Sequence, residues 1–213
     1  MQAIECILFE PVGCLAELPA EPFLEITARL FGGKKKASKS GSRSYWHLLN
    51  FIEAADRKLD PSEREMVETL EIQAVDGAST YDDVVPALSE LKAMGTRLLL
   101  ASSLSSAAVT QFLERCVLGE IFSGVWSRDN AGGIKAVPLQ SALECAFVSP
   151  EKAMFLTDTA EGLKVAKSVG VNSILMMNDP DEAKRLAMHE PAGGIVSLFE
   201  LPDFVRLVAT RNA

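Results

Sequence analysis

The sequence predicts an α/β protein that has one parallel β-sheet and a helical segment inserted after the first strand. Three observations support this prediction. Residues 4–15 begin with an apolar run that stops at an acidic turn, residues 16 to about 81 have a helical pattern, and strands alternate with helices from Gly77 onward. Short continuous apolar runs are typical of parallel strands that are buried on both faces. Right-handed crossovers would place these strands in one sheet.

Composition limits both the size and the class of the protein. A chain of 213 residues suits one domain, or one domain with a large insertion. An apolar content of 48% and a net charge of −8 argue against global disorder and against a nucleic-acid-binding surface. No apolar run reaches the roughly 20 residues of a membrane helix, and Glu5 and Glu10 interrupt the only candidate signal sequence. These features predict a cytosolic protein.

The cysteines and histidines show no spacing that is typical of a metal site. All four cysteines are therefore interpreted as reduced, with Cys6 and Cys145 on apolar faces. His47 and His189 lack a partner spacing that resembles a zinc site, so structural or surface roles are favoured.

The inserted segment contains three helical patterns and one basic stretch. Residues 34–44 are rich in Lys, Ser and Gly, which predicts either a mobile loop or a loop that closes over an anionic ligand. Asp60 is the expected N-cap of the third helix, because Pro61 follows at its first position. The three predicted helices cover residues 22–31, 45–59 and 61–73.

Strands and helices alternate in the remaining chain. Val85, Leu88 and Leu91 are expected on the buried face of the first helix, and residues 129–133 are expected to form a turn. The predicted strands cover residues 97–101, 123–127, 151–157 and 171–176, with a short sixth strand at 194–196. The predicted helices cover residues 82–94, 107–116 and 197–208. Between the last two, one further helix is predicted to begin near residue 138 and another to end near residue 169.

Four polar residues follow strands and should lie along one edge of the sheet: Glu10, Ser102, Lys135 and Asp158. Open parallel sheets bind ligands at the carboxyl ends of their strands. Three of these positions also have a structural interpretation. Glu10 could be a solvent-facing group, the serines that follow residue 101 could cap a helix, and Lys135 could lie on the surface.

These four positions, in this order, resemble the four motifs of the haloacid dehalogenase superfamily of hydrolases, in the phosphoglycolate phosphatase and β-phosphoglucomutase-like subgroup with a helical cap. The similar segments are Ile-Leu-Phe-Glu-Pro-Val-Gly-Cys-Leu at 7–15, Leu-Leu-Ala-Ser-Ser at 99–103, Lys135-x-x-Pro138, and Asp158 with Gly162 four residues later. The resemblance implies a Rossmann-like core formed by residues 1–15 and 80–213. It also implies an all-helical cap formed by residues 16–79.

The resemblance also implies roles for individual residues. Glu10 stands at the position of the nucleophilic aspartate, Val12 at that of the general acid/base, Ser102 at that of the hydroxyl, and Lys135 at that of the lysine. Ser102, Ser103 and Lys135 are the expected anion-binding residues.

The same resemblance implies a weakly bound Mg²⁺ and no organic cofactor. Glu10, Val12 and Asp158 stand at the metal positions, whereas Gly162 has lost the second acid of the fourth motif. Pro11 lacks the backbone N–H that the family directs at the phosphate.

These substitutions predict a weak or altered phosphatase at most. Loss of general acid–base help typically costs about 10²–10⁴-fold in rate. Cys14 could substitute as a nucleophile, but no basic partner is evident beside it, so a packing role is favoured.

Two hypotheses about function remain. The first is a Mg²⁺-dependent hydrolase of a small anionic or phosphorylated substrate, and the second is an inactive pseudo-hydrolase that acts as an anion-binding or regulatory protein. Neither hypothesis involves nucleic acid or a membrane, and the sequence does not indicate a partner protein.

Overall fold

A computed structural model describes residues 4–32, 40–55 and 59–210 of the chain. Its core is a six-stranded sheet in the order β5-β4-β1-β6-β7-β8, in which every neighbouring pair is parallel. Two further strands, β2 and β3, form a short antiparallel pair. The strands are β1 (Cys6–Phe9), β2 (Ala16–Glu17), β3 (Ser79–Thr80), β4 (Arg97–Ala101), β5 (Gly124–Trp126), β6 (Ala153–Thr157), β7 (Asn172–Met176) and β8 (Gly193–Ile195).

The helices fall into two groups along the chain. The first group, α1 to α3, lies between β2 and β3, and the second alternates with the strands of the large sheet. The helices are α1 (Ala20–Phe31), α2 (Gly41–Ala54), α3 (Pro61–Asp76), α4 (Val84–Ala93), α5 (Ser106–Arg115), α6 (Arg128–Ala131), α7 (Ala136–Ala146), α8 (Ala160–Val169), α9 (Pro180–Leu186) and α10 (Leu201–Thr210). Within the described residues, no helix is long and apolar enough to cross a membrane.

Strand β1 is central and is buried along its whole length. Its last residue, Phe9, pairs with Leu100 of β4 on one side and with Leu156 of β6 on the other. This register brings the residues that follow the three strands to one edge of the sheet. The parallel α/β core that the sequence predicts is confirmed.

Helix caps explain where several elements begin. Ser40 accepts a hydrogen bond from the Arg43 N–H, so α2 begins at residue 41 rather than at the predicted residue 45. Residues 34–39 of the predicted basic loop lie outside the described residues, whereas residues 41–44 belong to α2 rather than to a loop, with Ser42 and Ser44 buried. Asp60 caps α3 through a capping box with Glu63.

Several predictions made from local patterns were wrong. Val85 is exposed, because its neighbour Val84 takes the buried position in α4. Residues 128–131 form a short helix instead of a turn, because Ser127 caps it. Cys145 is exposed rather than placed on a buried apolar face.

Other elements were shorter than predicted or were not predicted. Strand β6 begins at Ala153, because a 3₁₀ turn precedes it, and the last helix begins at Leu201 for the same reason. Helix α9, which begins after its N-cap Asp179, and the two-residue strands β2 and β3 were not predicted. Patterns of two residues are too short to indicate a strand.

Candidate active site

The Glu10 side chain lies at the carboxyl end of β1 and is only 2% exposed. Its Oε1 accepts hydrogen bonds from the Ser102 hydroxyl at 3.1 Å and from the Val12 N–H at 3.4 Å. The Ser102 oxygen in turn accepts from the Leu104 N–H at 3.2 Å. The structure therefore brings two of the predicted catalytic residues into direct contact.

Burial sets the protonation of this carboxyl group. It raises the pKa of Glu10 from 4.5 to about 8, against the opposing hydrogen bonds from Ser102 and Val12. The nearby Asp158 carboxylate raises this pKa further. Without a cation beside it, Glu10 is mostly protonated at neutral pH.

Asp158 follows β6 and faces the inserted helices. Its Oδ2 accepts from the Ser42 hydroxyl of α2 at 2.6 Å and from the Asn178 amide at 3.4 Å. Its Oδ1 is buried, and no residue in the described ranges donates a hydrogen bond to it. Burial raises the pKa of Asp158 to about 7.

Gly13 allows the turn after β1 to pack directly against Asp158. This residue has a φ of 81°, and a Cβ atom at this position would overlap the Asp158 carboxylate. Val12, which precedes it, is buried and offers only its backbone to the site. Val12 therefore cannot transfer a proton through its side chain.

Cys14 is also buried near the acids. Burial raises the pKa of its thiol, and the negative charges of Asp158 and Glu10 raise it further. A thiol of this kind stays protonated, so the structure favours a packing role for Cys14.

Gly162, at the position of the second acid in the fourth motif, lies inside α8. A Cβ atom on Gly162 would overlap the Thr157 hydroxyl at the end of β6. The loss of the carboxylate is thus linked to Thr157, and an acid could not be restored at residue 162 while Thr157 is present.

Lys135 is not directed toward Glu10 or Ser102. Its ammonium donates to the Asn50 Oδ1 at 2.7 Å and pairs with the Glu53 Oε2 at 2.5 Å, and both partners belong to α2. Its backbone N–H donates to the Ser103 hydroxyl at 2.6 Å. The structure therefore does not bring the predicted anion-binding residues Ser102, Ser103 and Lys135 into one hydrogen-bonded group.

The Lys135 backbone adopts a strained conformation, with a φ of 59° and a ψ of −107°. Non-glycine residues rarely adopt such angles, which typically cost about 1–3 kcal/mol and cluster at functional sites. The Ser103 hydrogen bond and the start of α7 hold the backbone in this conformation.

Helix α2 contributes side chains to the site that the sequence analysis did not identify. The Ser42 hydroxyl contacts Asp158, and the Tyr45 hydroxyl lies 3.3 Å from the Ser102 hydroxyl. Ser42 and Tyr45 are spaced i, i+3, so they share one face of the helix. This spacing is the signal that could have identified them, although it gives no indication of which core residues they contact.

A buried ion pair connects α3 to the start of α6. The Arg128 Nη1 lies 2.5 Å from the Glu71 Oε1, and Glu71 is fully buried. Arg128 also donates to the Ser103 carbonyl, and the Ser105 N–H donates to Glu71. These bonds fix the inserted helices against the loop that carries the Ser102 hydroxyl.

Glu10 and Asp158 offer the kind of oxygen ligands that Mg²⁺ requires, and this ion often takes only one or two carboxylates. Glu10 and Asp158 supply two carboxylates, and the buried Asp158 Oδ1 lacks any donor in the described part of the chain. An unpaired carboxylate oxygen of this kind suits a cation. No cluster of three or more acidic, His or Cys ligands occurs among the described residues. The two acids therefore fit Mg²⁺ as a sparse site.

Sequence comparisons show which known proteins the chain is similar to. A sequence model of the haloacid dehalogenase-like hydrolases matches residues 41–176. The chain is 33% identical over 116 residues to an enolase-phosphatase E1 from Frankia alni and 27% identical over 141 residues to one from a Bradyrhizobium strain. The matches cover 52% and 63% of this chain, and they span only 48% and 61% of those relatives.

Solved structures share the fold at low sequence identity. A haloacid dehalogenase-like hydrolase family protein from Streptococcus pneumoniae aligns with a TM-score of 0.72 and 16% identity. The alignment covers 96% of this chain and 99% of that protein. This likeness confirms the arrangement of the sheet and its helices.

Proposed function

The chain belongs to the haloacid dehalogenase-like hydrolase family, and from that premise we propose that it is a slow phosphatase of a small phosphorylated molecule. The observation that carries the proposal is the hydrogen bond between Glu10 and Ser102 at the carboxyl edge of the sheet. The names of the enolase-phosphatase relatives support phosphate monoesters as the substrate class.

We further propose that residues 1–15 and 80–213 form the core and that residues 16–79 form a cap. The chain leaves and re-enters the proposed core through β2 and β3, which pair with each other. Because Glu10 is 2% exposed and Ser102 is 1% exposed, a substrate reaches them only when α2 moves away. The paired strands are the natural position for a hinge.

In the proposed reaction, a carboxylate oxygen of Glu10 forms a bond to phosphorus while the bond from phosphorus to the ester oxygen breaks. The leaving oxygen takes its proton from water, because Val12 carries no acid. A second water then cleaves the acyl phosphate, which releases phosphate and restores Glu10. The Ser102 hydroxyl orients the attacking carboxylate through its hydrogen bond.

Glu10 and Asp158 would hold the Mg²⁺, which when bound offsets the negative charge of the phosphoryl group. The expected turnover is low for two reasons. The absent general acid costs about 10²–10⁴-fold, and Mg²⁺ binding must displace a proton from Glu10, whose pKa is about 8 before the metal binds.

The second candidate is a catalytically inactive protein of the same family that binds an anion or regulates a partner. One observation favours it: Ser42 and Tyr45 of α2 already occupy the hydrogen-bonding positions beside Asp158 and Ser102. In this case the cap would remain closed over the crevice.

Turnover of p-nitrophenyl phosphate with Mg²⁺ distinguishes the two candidates. The slow phosphatase should release phosphate above the buffer rate, and Glu10→Gln and Asp158→Asn should each remove this activity. Glu144→Gln is the matched control, because Glu144 is exposed on α7. Activity that persists in Glu10→Gln would overturn the proposed role of Glu10, and no activity in the wild type would favour the inactive protein.

A further inference from the structure

The N-terminal end of α2 is held by carboxylates from other parts of the chain. Its Gly41 N–H donates to the Glu17 Oε1 of β2 at 3.0 Å, and its Ser42 hydroxyl donates to the Asp158 Oδ2 at 2.6 Å. A Cβ atom on Gly41 would lie 1.8 Å from the Leu18 carbonyl oxygen, so only glycine fits here. The backbone of α2 therefore packs directly against the segment that follows β2.

This end of α2 also carries positive charge. The N–H groups at a helix N-terminus are equivalent to about +0.5 elementary charge, and Arg43 adds a guanidinium that pairs with the Glu182 carboxylate of α9. Both partners of this ion pair border a cavity of about 280 Å³, and Glu17, Asp158 and Asp179 border it as well. Four carboxyl groups therefore share one cavity with the positive end of α2.

Asp158 connects this end of α2 to the proposed metal site. Its Oδ2 accepts from Ser42 and, at 3.4 Å, from Asn178, whereas its Oδ1 is buried and has no donor among the described residues. Mg²⁺ usually keeps several of its waters when it binds carboxylates. A hydrated ion therefore needs more room beside Asp158 than this arrangement leaves, and Ser42 belongs to the cap, which is the part proposed to move.

We propose that residues 41–43 form a latch that competes with Mg²⁺ for Asp158, so that metal binding releases the cap. This inference rests on the proposed metal site and cap, and it adds a coupling between them. A cation and a hydroxyl donor compete for the same carboxylate, so each weakens the binding of the other. The latch keeps α2 over Glu10 and Ser102 until the metal is in place, and only the metal-loaded protein admits the substrate.

Trp46 reports the release of α2 without any substrate. It lies four residues after Ser42 and is only 1% exposed. The chain has 2 Trp residues, so Trp126→Phe leaves Trp46 as the sole tryptophan. Mg²⁺ is titrated against sodium chloride of equal ionic strength while acrylamide quenching of Trp46 fluorescence is recorded. Quenching should rise to a plateau with Mg²⁺ and stay low with sodium chloride, and equal quenching in the two salts would overturn the proposal.

Ser42→Ala gives the sharpest test, because it removes the hydrogen bond to Asp158. Calorimetric titration of the protein measures the Kd of Mg²⁺. If Ser42 competes with the metal, the variant should bind Mg²⁺ about 3–10-fold more tightly, the range expected for the loss of one competing hydrogen bond. If Ser42 instead orients Asp158 for the metal, the variant should bind Mg²⁺ more weakly, and that result would overturn the proposal.

Ser44→Ala is the matched control for this variant. The Ser44 hydroxyl lies in the same helix but donates to the Ser40 carbonyl rather than to an acid. Both variants exchange a helical serine for alanine, so they share the same change in helix propensity. Ser44→Ala should leave the Kd of Mg²⁺ and the quenching of Trp46 unchanged, and an equal tightening in both variants would overturn the role of Ser42.

These measurements need no turnover, so they separate the latch from the phosphatase. A protein without phosphatase activity whose Ser42→Ala variant binds Mg²⁺ more tightly would overturn the phosphatase and support the latch. An active phosphatase whose Kd of Mg²⁺ is the same in wild type and Ser42→Ala would overturn the latch alone. If neither protein binds Mg²⁺, both the metal site and the latch are wrong.

Discussion

At the scale of single residues, the buried environment of Glu10 explains its raised pKa. The carboxyl group is buried beside one hydroxyl and one backbone N–H, and burial raises its pKa from 4.5 to about 8. Between these values the folded protein keeps the proton while the unfolded chain loses it. The folded state then binds more protons, so the free energy of unfolding falls as the pH rises through this range.

Glu10→Gln should remove this pH dependence, because an amide does not titrate. As the pH rises from 5 to 8, the free energy of unfolding of the variant should increase relative to that of wild type by up to about 1.4 kcal/mol per pH unit. Asp158 titrates in both proteins, so most of its contribution cancels in the difference, which mainly reports Glu10. Urea unfolding with a chelator present measures it, and a difference that stays constant from pH 5 to pH 8 would refute the raised pKa.

Gly162 gives a second prediction at this scale. Alanine usually stabilises a helix by about 1 kcal/mol relative to glycine. Gly162→Ala should instead destabilise the protein by about 1–3 kcal/mol, because the new methyl group overlaps the Thr157 side chain.

The matched control is Gly119→Ala, because no atom lies within 4 Å of a Cβ at that position. It should change the free energy of unfolding by less than about 0.5 kcal/mol. Thr157→Gly combined with Gly162→Ala should recover part of the loss. If Gly162→Ala proved as stable as wild type in thermal unfolding, the explanation for the missing acid would fail.

At the scale of elements, α2 borders both the crevice and a cavity beside Lys135. Ser42 and Tyr45 contact Asp158 and Ser102 in the crevice, whereas Trp46, Asn50 and Glu53 border the cavity at i, i+4 and i+7. The sequence predicted a helix here but not these roles, because the periodicity of a helix shows which residues share a face and not what that face contacts. Ser42 and Asp158 are 116 residues apart in the chain, so only the tertiary fold joins them.

The Glu71–Arg128 pair joins α3 to the core and should be important for stability. Arg128→Met leaves the fully buried Glu71 without its partner, and breaking a buried pair in this way typically costs about 3–5 kcal/mol. The double variant Glu71→Leu with Arg128→Met removes both charges and should lose less. Chemical denaturation of the three proteins gives the comparison, and a double variant that is less stable than Arg128→Met would contradict this account.

At the scale of the whole molecule, the sequence predicted the parallel sheet and the alternation of strands and helices, but not the order of the strands in the sheet. Buried apolar runs such as residues 97–101 indicated parallel strands, and the order of the polar strand ends indicated where a site would form. Their side-chain contacts were harder to predict. Lys135 follows the sequence pattern of the family but bonds to Asn50 and Glu53 of α2. No local sequence pattern predicts how α2 packs against the core, so these bonds could not be predicted from the sequence.

The central claim is that Glu10 is the nucleophile of a slow phosphatase. The most direct measurement is intact and peptide mass spectrometry of protein that is quenched in acid during turnover of p-nitrophenyl phosphate with Mg²⁺. The account predicts a fraction of protein that carries one phosphoryl group on Glu10, and no such adduct in Glu10→Gln. Turnover without an adduct, an adduct on another residue such as Cys14, or neither turnover nor an adduct would contradict it.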